Sequence, residues 1–574
     1  MNLPAFTLDQ YAATTCPVKT QNTFNPLIGD RCEIDTDFVE HFRETSPHRD
    51  HVLRAIIRAH RDTVRDLRTL VDGVQPSTAC IEAMNAGVPI ILSAEMPPDL
   101  EEHRRGLVDV LFRGEDENGH LVYYPAIIKD HLVLAPTQHN HEDQVVASIP
   151  KPFLNQATHT TQRFRVESRS FDLLQLAHLW ELVRAAGFGS AQAWGAIIGT
   201  DHLKKKAGHC VVWVNLDVKQ IRVFSYTSSH QWKRHSPRSR YQHEHRFRVR
   251  VVKRAMQQTG SNQDPELAAA PVRVPQCEMC EWWPICKSLL IDDISVRIER
   301  SPLDARETMT LRGFGIKTIT DLAACDIDAL LPGYLPQVAH RSGAETRLRL
   351  AAHRGRLLAA GLRLERLTSG PIDLPQASVE IDLDIETSAQ NRVYLWGFLV
   401  HDHRSNDVPP AYHPVRRFSS LTPTQELNLA EEAATWLQEF VASLGEDSVL
   451  VWHYSTYETS ALRRLHRSSV GSTLPGLTWL THFAERHFVD LLPVVKKHFF
   501  GVDGLGLKAV ATTGAGFSWR DSDPHGLNSQ YWFADAIFSS TAEEREAART
   551  RILEYNEDDV RATWSLRQWL RSLT

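Results

Sequence analysis

Over residues 379–386 the apolar Val379, Ile381, Leu383 and Ile385 alternate with acids, a period of two that predicts a half-buried strand. Asp384 and Glu386 then project from one face, which Glu380 and Asp382 share. The run Tyr394-Leu395-Trp396-Gly397-Phe398 that follows predicts a hairpin partner. Near the C-terminus the period becomes helical, and Tyr555 and Asp559, four residues apart, lie one above the other. Upstream, residues 106–111 and 124–129 predict apolar strands. A glycine turn precedes an amphipathic run over 311–323, and a long helical pattern carrying Arg341, Arg347, Arg349, Arg354 and Arg356 comes next. Strand and helix periods mix throughout, so the expected class is α/β and multidomain.

Three acid motifs stand in order: Asp384-Ile385-Glu386, then His453-Tyr454-Ser455-Thr456-Tyr457-Glu458, then Tyr555-Asn556-Glu557-Asp558-Asp559. Two divalent cations about 3.5–4 Å apart activate water and stabilise a leaving oxygen when several carboxylates balance their charge. Asp384, Glu386, Glu458 and Asp559 supply four, which reads as a two-metal phosphodiesterase. A solvated acidic strand and a charged helix are the alternative for any one motif alone. Together the motifs resemble the RNase H-like exonucleases of the DEDD superfamily, tyrosine subtype, whose third motif is Tyr-x-x-x-Asp, over residues 371–574. The resemblance implies that Asp384, Glu386 and Asp559 hold Mg²⁺ or Mn²⁺, that Tyr555 orients the attacking water, and that cleavage runs 3′ to 5′. Glu458 stands where the family has Asp, one methylene shorter, and Asp490 is the alternative acid.

Near the middle, Cys277, Cys280 and Cys286 are spaced two and then five residues apart. Zinc would ordinarily bring two Cys-x-x-Cys knuckles or a nearby His pair, whereas an iron–sulfur cube accepts a fourth cysteine from far away. Cys16 fits that role, with Cys32 as its rival. One early cysteine and three late ones resemble the iron–sulfur RecB-family nucleases of the AddB type, over residues 1–290. That resemblance implies a PD-(D/E)XK restriction-endonuclease-like domain whose ends are stapled by a [4Fe-4S] cluster on Cys16, Cys277, Cys280 and Cys286. Asp109, Lys129 and Gln175 match its catalytic set. The acid two positions before Lys129 is replaced by Ile127, and the aromatic after Gln175 by Leu179, so this domain is expected to hold DNA with weak or no cleavage.

Charge is uneven. From residue 371 onward 18 basic residues face 27 acidic ones, leaving 46 and 43 before it. The densest basic stretch holds Lys233, Arg234, Arg238, Arg240, Arg246, Arg248, Arg250, Lys253 and Arg254, interleaved with Trp232, Tyr241 and Phe247, a mixture suited to phosphate contact and base stacking or else a solvated helix face. Gly313, Gly315 and Lys317 resemble a helix-hairpin-helix turn on a backbone phosphate, within a helical connector over 291–370. No Gly-x-x-x-x-Gly-Lys-Ser/Thr loop is present, so any ATP motor is expected on another chain, such as a separate helicase.

A length of 574 residues suits three or four domains, here 1–290, 291–370 and 371–574. No run approaches about 18 apolar residues, and the cysteine pattern suits a reducing compartment, so the expected location is cytoplasmic. The expected function is a metal-dependent nuclease on DNA, in repair or recombination, with RNA as the alternative substrate. The competing expectation is a catalytically silent accessory subunit that grips nucleic acid.

Overall fold

A computed structural model describes residues 4–29, 47–70, 73–136, 144–201, 209–226, 231–404, 409–522 and 526–574. They form two compact units, one from Met1–Val296, Asp304–Gly315 and Asp328–Thr346, the other from Arg297–Leu303, Ile316–Ile327 and Arg347–Thr574. Among the described residues no helix is long and apolar enough to cross a membrane.

The first unit is built on an eight-stranded mixed sheet in the order Val64–Asp66, Ile90–Asp99, Arg104–Glu115, Leu121–Ile128, Trp194–Ile198, Cys210–Asn215, Val145–Ser148 and Thr158–His159. Leu121–Ile128 is apolar along almost its whole length and buried on both faces. Helix Val166–Ala185 covers one side through Leu173, Leu176 and Trp180. Val52, Leu53 and Ile56 of helix Pro47–Ala59 cover the other. The start of this unit is tied to helix Pro237–Ala255, whose buried Arg248 donates to the carbonyls of Ala12 and Thr15 at 3.0 and 2.7 Å.

The second unit carries a five-stranded sheet in the order Ala411–Arg416, Val393–Asp402, Val379–Thr387, Val449–His453 and Phe488–Asp490. Val379–Thr387 pairs antiparallel with Val393–Asp402 and parallel with Val449–His453. Its apolar side chains pack on Leu429, Ala433 and Leu437 of helix Pro423–Ala442. That helix starts on a Thr422–Gln425 capping box with Pro423 in its first turn.

The acid strand is not half-buried as its alternation predicts. It is buried on both faces except for a partial opening at Asp384. Helix Ala542–Ser572 packs against it, and four carboxylates there need partners. Arg567 meets Glu380 and also Asp382, the latter at 2.7 Å, while Arg571 and His403 reach Glu380 at 2.6 and 2.8 Å. Burial pushes the Glu380 carboxyl up, but the Arg571 and Arg567 guanidinium groups and the His403 hydrogen bond together hold it down at about 2. Two of the four acids are thereby neutralised inside the fold, and Asp384 and Glu386 are left facing Asp559.

Candidate metal centre

Oxygen atoms of Asp384, Glu386 and Asp559 all lie within 4.8 Å of one another. The first two come from the acid strand and the third from the C-terminal helix. Burial, followed by repulsion from Asp559 and Glu386, drives the Asp384 carboxyl well above the usual range. Glu386 is pushed up to about 8 by burial and by Asp559, although Ser529 Oγ donates to it at 2.6 Å. Burial raises Asp559 as well, against the pull of Lys508 and of the Trp519 indole, which donates at 2.7 Å. Three mutually repelling carboxyls out of water favour a bound cation.

Each acid is held by neighbours that local sequence does not reveal. Asn556 Nδ2 donates to Asp384 Oδ2 at 2.7 Å, and Tyr412 donates to Asn556 Oδ1 at 2.7 Å, which fixes which end of the amide faces the acid. The approach passes over Gly397, the register partner of Asp384, where a Cβ would overlap the Asn556 amide. Trp519 is carried by a loop that Arg520 ties to Asp558 and Glu557, and Arg551 to Asp521.

Tyr555 is buried one turn before Asp559. Its phenolic oxygen accepts from Lys508 Nζ at 2.5 Å, and the same ammonium lies 4.0 Å from Asp559. Lys508 lies in the first turn of helix Leu507–Thr513, and the loop before that helix is pinned by Tyr454, whose hydroxyl donates to the Leu505 carbonyl at 2.5 Å. The second sequence motif thus positions a cation that its own acid pattern did not announce. The only local signal for Lys508 is its place after Gly504-Leu505-Gly506-Leu507 at a helix start.

Glu458 stands apart from the three converging acids. It is buried against His453 at 3.4 Å, and its charge acts on Asp384 through space. Asp490, the alternative, caps helix Leu491–His498 by accepting from Leu492 N and also accepts from Ser455 N, both at 2.9 Å.

Residues 382–571 match the model of the RNase_H superfamily. No curated protein and no solved structure matches the chain. The RNase H-like domain spans the three acids, Tyr555 and Lys508, and it points to metal-dependent processing of nucleic acid.

In the first unit the residues expected to form a second nuclease site are already paired. Asp109 accepts from Arg49 at 2.8 Å and from the Ile128 amide at 2.9 Å. Lys129 donates to Gln175 at 2.7 Å and pairs with Asp172 at 3.1 Å, and Asp172 also meets His131 at 2.8 Å. Ile127, at the position of the missing acid, is fully buried in the apolar core.

Cys16 immediately precedes helix Pro17–Phe24, and Cys277, Cys280 and Cys286 follow one another through a 3-10 turn into helix Trp283–Leu289. All four are free and half-buried. Asn22 Nδ2 lies 3.8 Å from Cys286 Sγ, the Val274 amide donates to Cys277 Sγ at 3.4 Å, and Lys19 pairs with Glu281 at 2.9 Å. Burial, then the neighbouring Cys16, Cys280 and Cys277, pushes the Cys286 thiol up to about 11. The four thiols lie near enough to influence one another, but among the described residues only Asp384, Glu386 and Asp559 bring three or more ligand atoms within 4.8 Å of one another. Cys32 lies outside the described residues.

Much of the basic stretch is spent internally. Arg238 pairs with Glu181 at 3.1 Å, Arg240 pairs with Glu244, and Arg248 is buried. Lys233, Arg234, Arg246 and Arg250 are exposed. At the glycine turn the amides of Lys317 and Thr318 donate to Asp321 and that of Gly315 to Arg312, so Gly313, Gly315 and Lys317 form a turn whose donors are largely taken.

Proposed function

We propose that the chain is a metal-dependent nuclease that removes nucleotides from the 3′ end of DNA, with its chemistry in the RNase H-like domain. The observation that carries this is the convergence of Asp384, Glu386 and Asp559 beside a phenol held by Lys508. The three carboxylates would hold Mg²⁺ or Mn²⁺, with Glu458 tuning Asp384 from behind. Bound there, divalent cations supply Lewis-acid activation of water and neutralise charge on the leaving oxygen. Tyr555 orients the attacking water at its phenolic oxygen, which Lys508 fixes in place. Asn556, Ser529 and Trp519 each hold one carboxylate in the orientation the site requires.

The first unit supports a different role. With Asp109 bonded to Arg49 and Lys129 to Asp172, it serves as a binding scaffold without cleavage of its own. Cys16, Cys277, Cys280 and Cys286 would hold a [4Fe-4S] cluster that braces the start of the chain against residues 277–286. Exposed Lys233, Arg234, Arg246 and Arg250 contribute phosphate contacts. A cytoplasmic role in DNA repair or recombination, beside a separate helicase, completes the proposal.

Strands labelled at either end separate this account from its rivals. With Mn²⁺, a 3′ label is expected to appear first as mononucleotide while a 5′ label shortens stepwise. Early release of a 5′ mononucleotide, or degradation confined to RNA, would overturn the polarity or the substrate. Binding without cleavage under every metal would make the chain a silent accessory protein.

A further inference from the structure

In the first unit the strands Ile221–Ser225 and Gln231–His235 form a two-stranded hairpin whose register sets Arg222 directly opposite Arg234. Like charges opposite one another destabilise an antiparallel pair. Neither arginine has an acidic partner among the described residues. The hairpin edges a cavity of about 540 Å³ whose lining includes Arg163, Lys219, Arg222, Trp232 and Arg234, against Glu167 as the one acid. Glu167 faces Arg163 at 3.5 Å, and both are largely exposed. Four cations against one carboxylate, around a concave surface, make an anion site in search of a ligand.

Its second component is aromatic. Trp232 remains 48% exposed, although such a side chain ordinarily buries much of its area. The Arg222 guanidinium sits 5.0 Å from its ring centroid, and Phe224 meets the ring edge-on at 5.5 Å. The indole is thus held upright by Phe224 while Arg222 is oriented over it. Fixed guanidinium groups match phosphate oxygens, and an upright indole offers a planar face to a base.

We propose that this cavity binds a nucleotide unit, with its phosphate held between Arg222 and Arg234 and its base stacked on Trp232. The site belongs to the first unit, and binding there does not depend on cleavage. A free mononucleotide and one residue of a single strand present the same chemistry, so both are tested.

The test is fluorescence anisotropy of the full chain with a short fluorescein-labelled oligothymidylate, divalent cations being chelated so that cleavage cannot contribute. Trp232→Ala is expected to weaken binding roughly tenfold, with Trp232→Phe close to the parent, as stacking requires. Arg222→Ala with Arg234→Ala is expected to lower the slope of log affinity against log salt by about 1.4, the value for two lost phosphate contacts on a single strand. Thymidine monophosphate that displaces the strand from the parent, but not from the arginine variant, identifies a site open to free nucleotides. Failure of the monophosphate to compete, with the variant effects intact, identifies a strand site. Parent-like affinity and salt slope in all these variants, with circular dichroism melting unchanged, would overturn the proposal. Since nothing is cleaved in the assay, these outcomes stand whether or not the nuclease account holds.

Discussion

The ammonium of Lys508 lies 2.5 Å from the phenolic oxygen of Tyr555, so the hydroxyl in the acidic centre is fixed by a cation from a different helix. Lys508→Met is expected to lower kcat roughly 10- to 100-fold, in the range of a lost outer partner of a metal site, while KM for DNA changes little. Steady-state kinetics on a labelled strand check this. A change in KM alone would assign Lys508 to substrate binding instead.

Asp384 depends on Asn556, and Asn556 on the missing side chain at Gly397. Gly397→Ala is expected to displace the amide, costing about 1–3 kcal/mol as overpacking does, and to reduce cleavage further than its stability loss explains. Asn556→Ala should reduce activity with a smaller change in melting temperature. Thermal melts beside rate measurements distinguish the two.

Metal affinity should depend on pH in a fixed direction. Burial and Asp559 hold the Glu386 carboxyl up to about 8, so below that pH the metal-free site retains a proton that a cation must displace. Apparent Mn²⁺ affinity is therefore expected to rise with pH up to about 8. Calorimetric titration in buffers of different ionisation enthalpy reads the released proton directly, and a flat profile would contradict it.

Arg567 serves the fold. Removing it leaves Glu380 and Asp382 buried with one cation fewer, so Arg567→Met is expected to destabilise the second unit by about 3–5 kcal/mol, the cost of breaking a buried pair from one side. Denaturant unfolding measures this. Metal binding by the folded fraction should persist.

Those four carboxylates show how far local pattern reaches. Alternation placed Glu380, Asp382, Asp384 and Glu386 on one strand face, and helical spacing aligned Tyr555 with Asp559, because both periods are properties of the backbone. Which two acids remain for a metal was decided by Arg567, 187 positions from Glu380, and no period encodes such a pairing. The same holds for Lys508, Trp519 and Ser529, each brought in from an element with no acidic motif. Burial of the acid strand on both faces was likewise illegible, since polar residues facing a helix look like polar residues facing water. In the first unit Ile127 was readable as a lost acid, but the Arg49–Asp109 and Lys129–Asp172 pairs became visible only in three dimensions.

The central claim is that the chemistry lies in the RNase H-like domain, and end-labelled single-stranded DNA with Mn²⁺ tests it most directly. Anaerobically purified parent protein, Asp384→Ala and Asp109→Ala are compared, with binding measured alongside. The account predicts that Asp384→Ala loses cleavage while still binding DNA, and that Asp109→Ala degrades the strand like the parent. Equal cleavage by Asp384→Ala and the parent, or loss confined to Asp109→Ala, would contradict it.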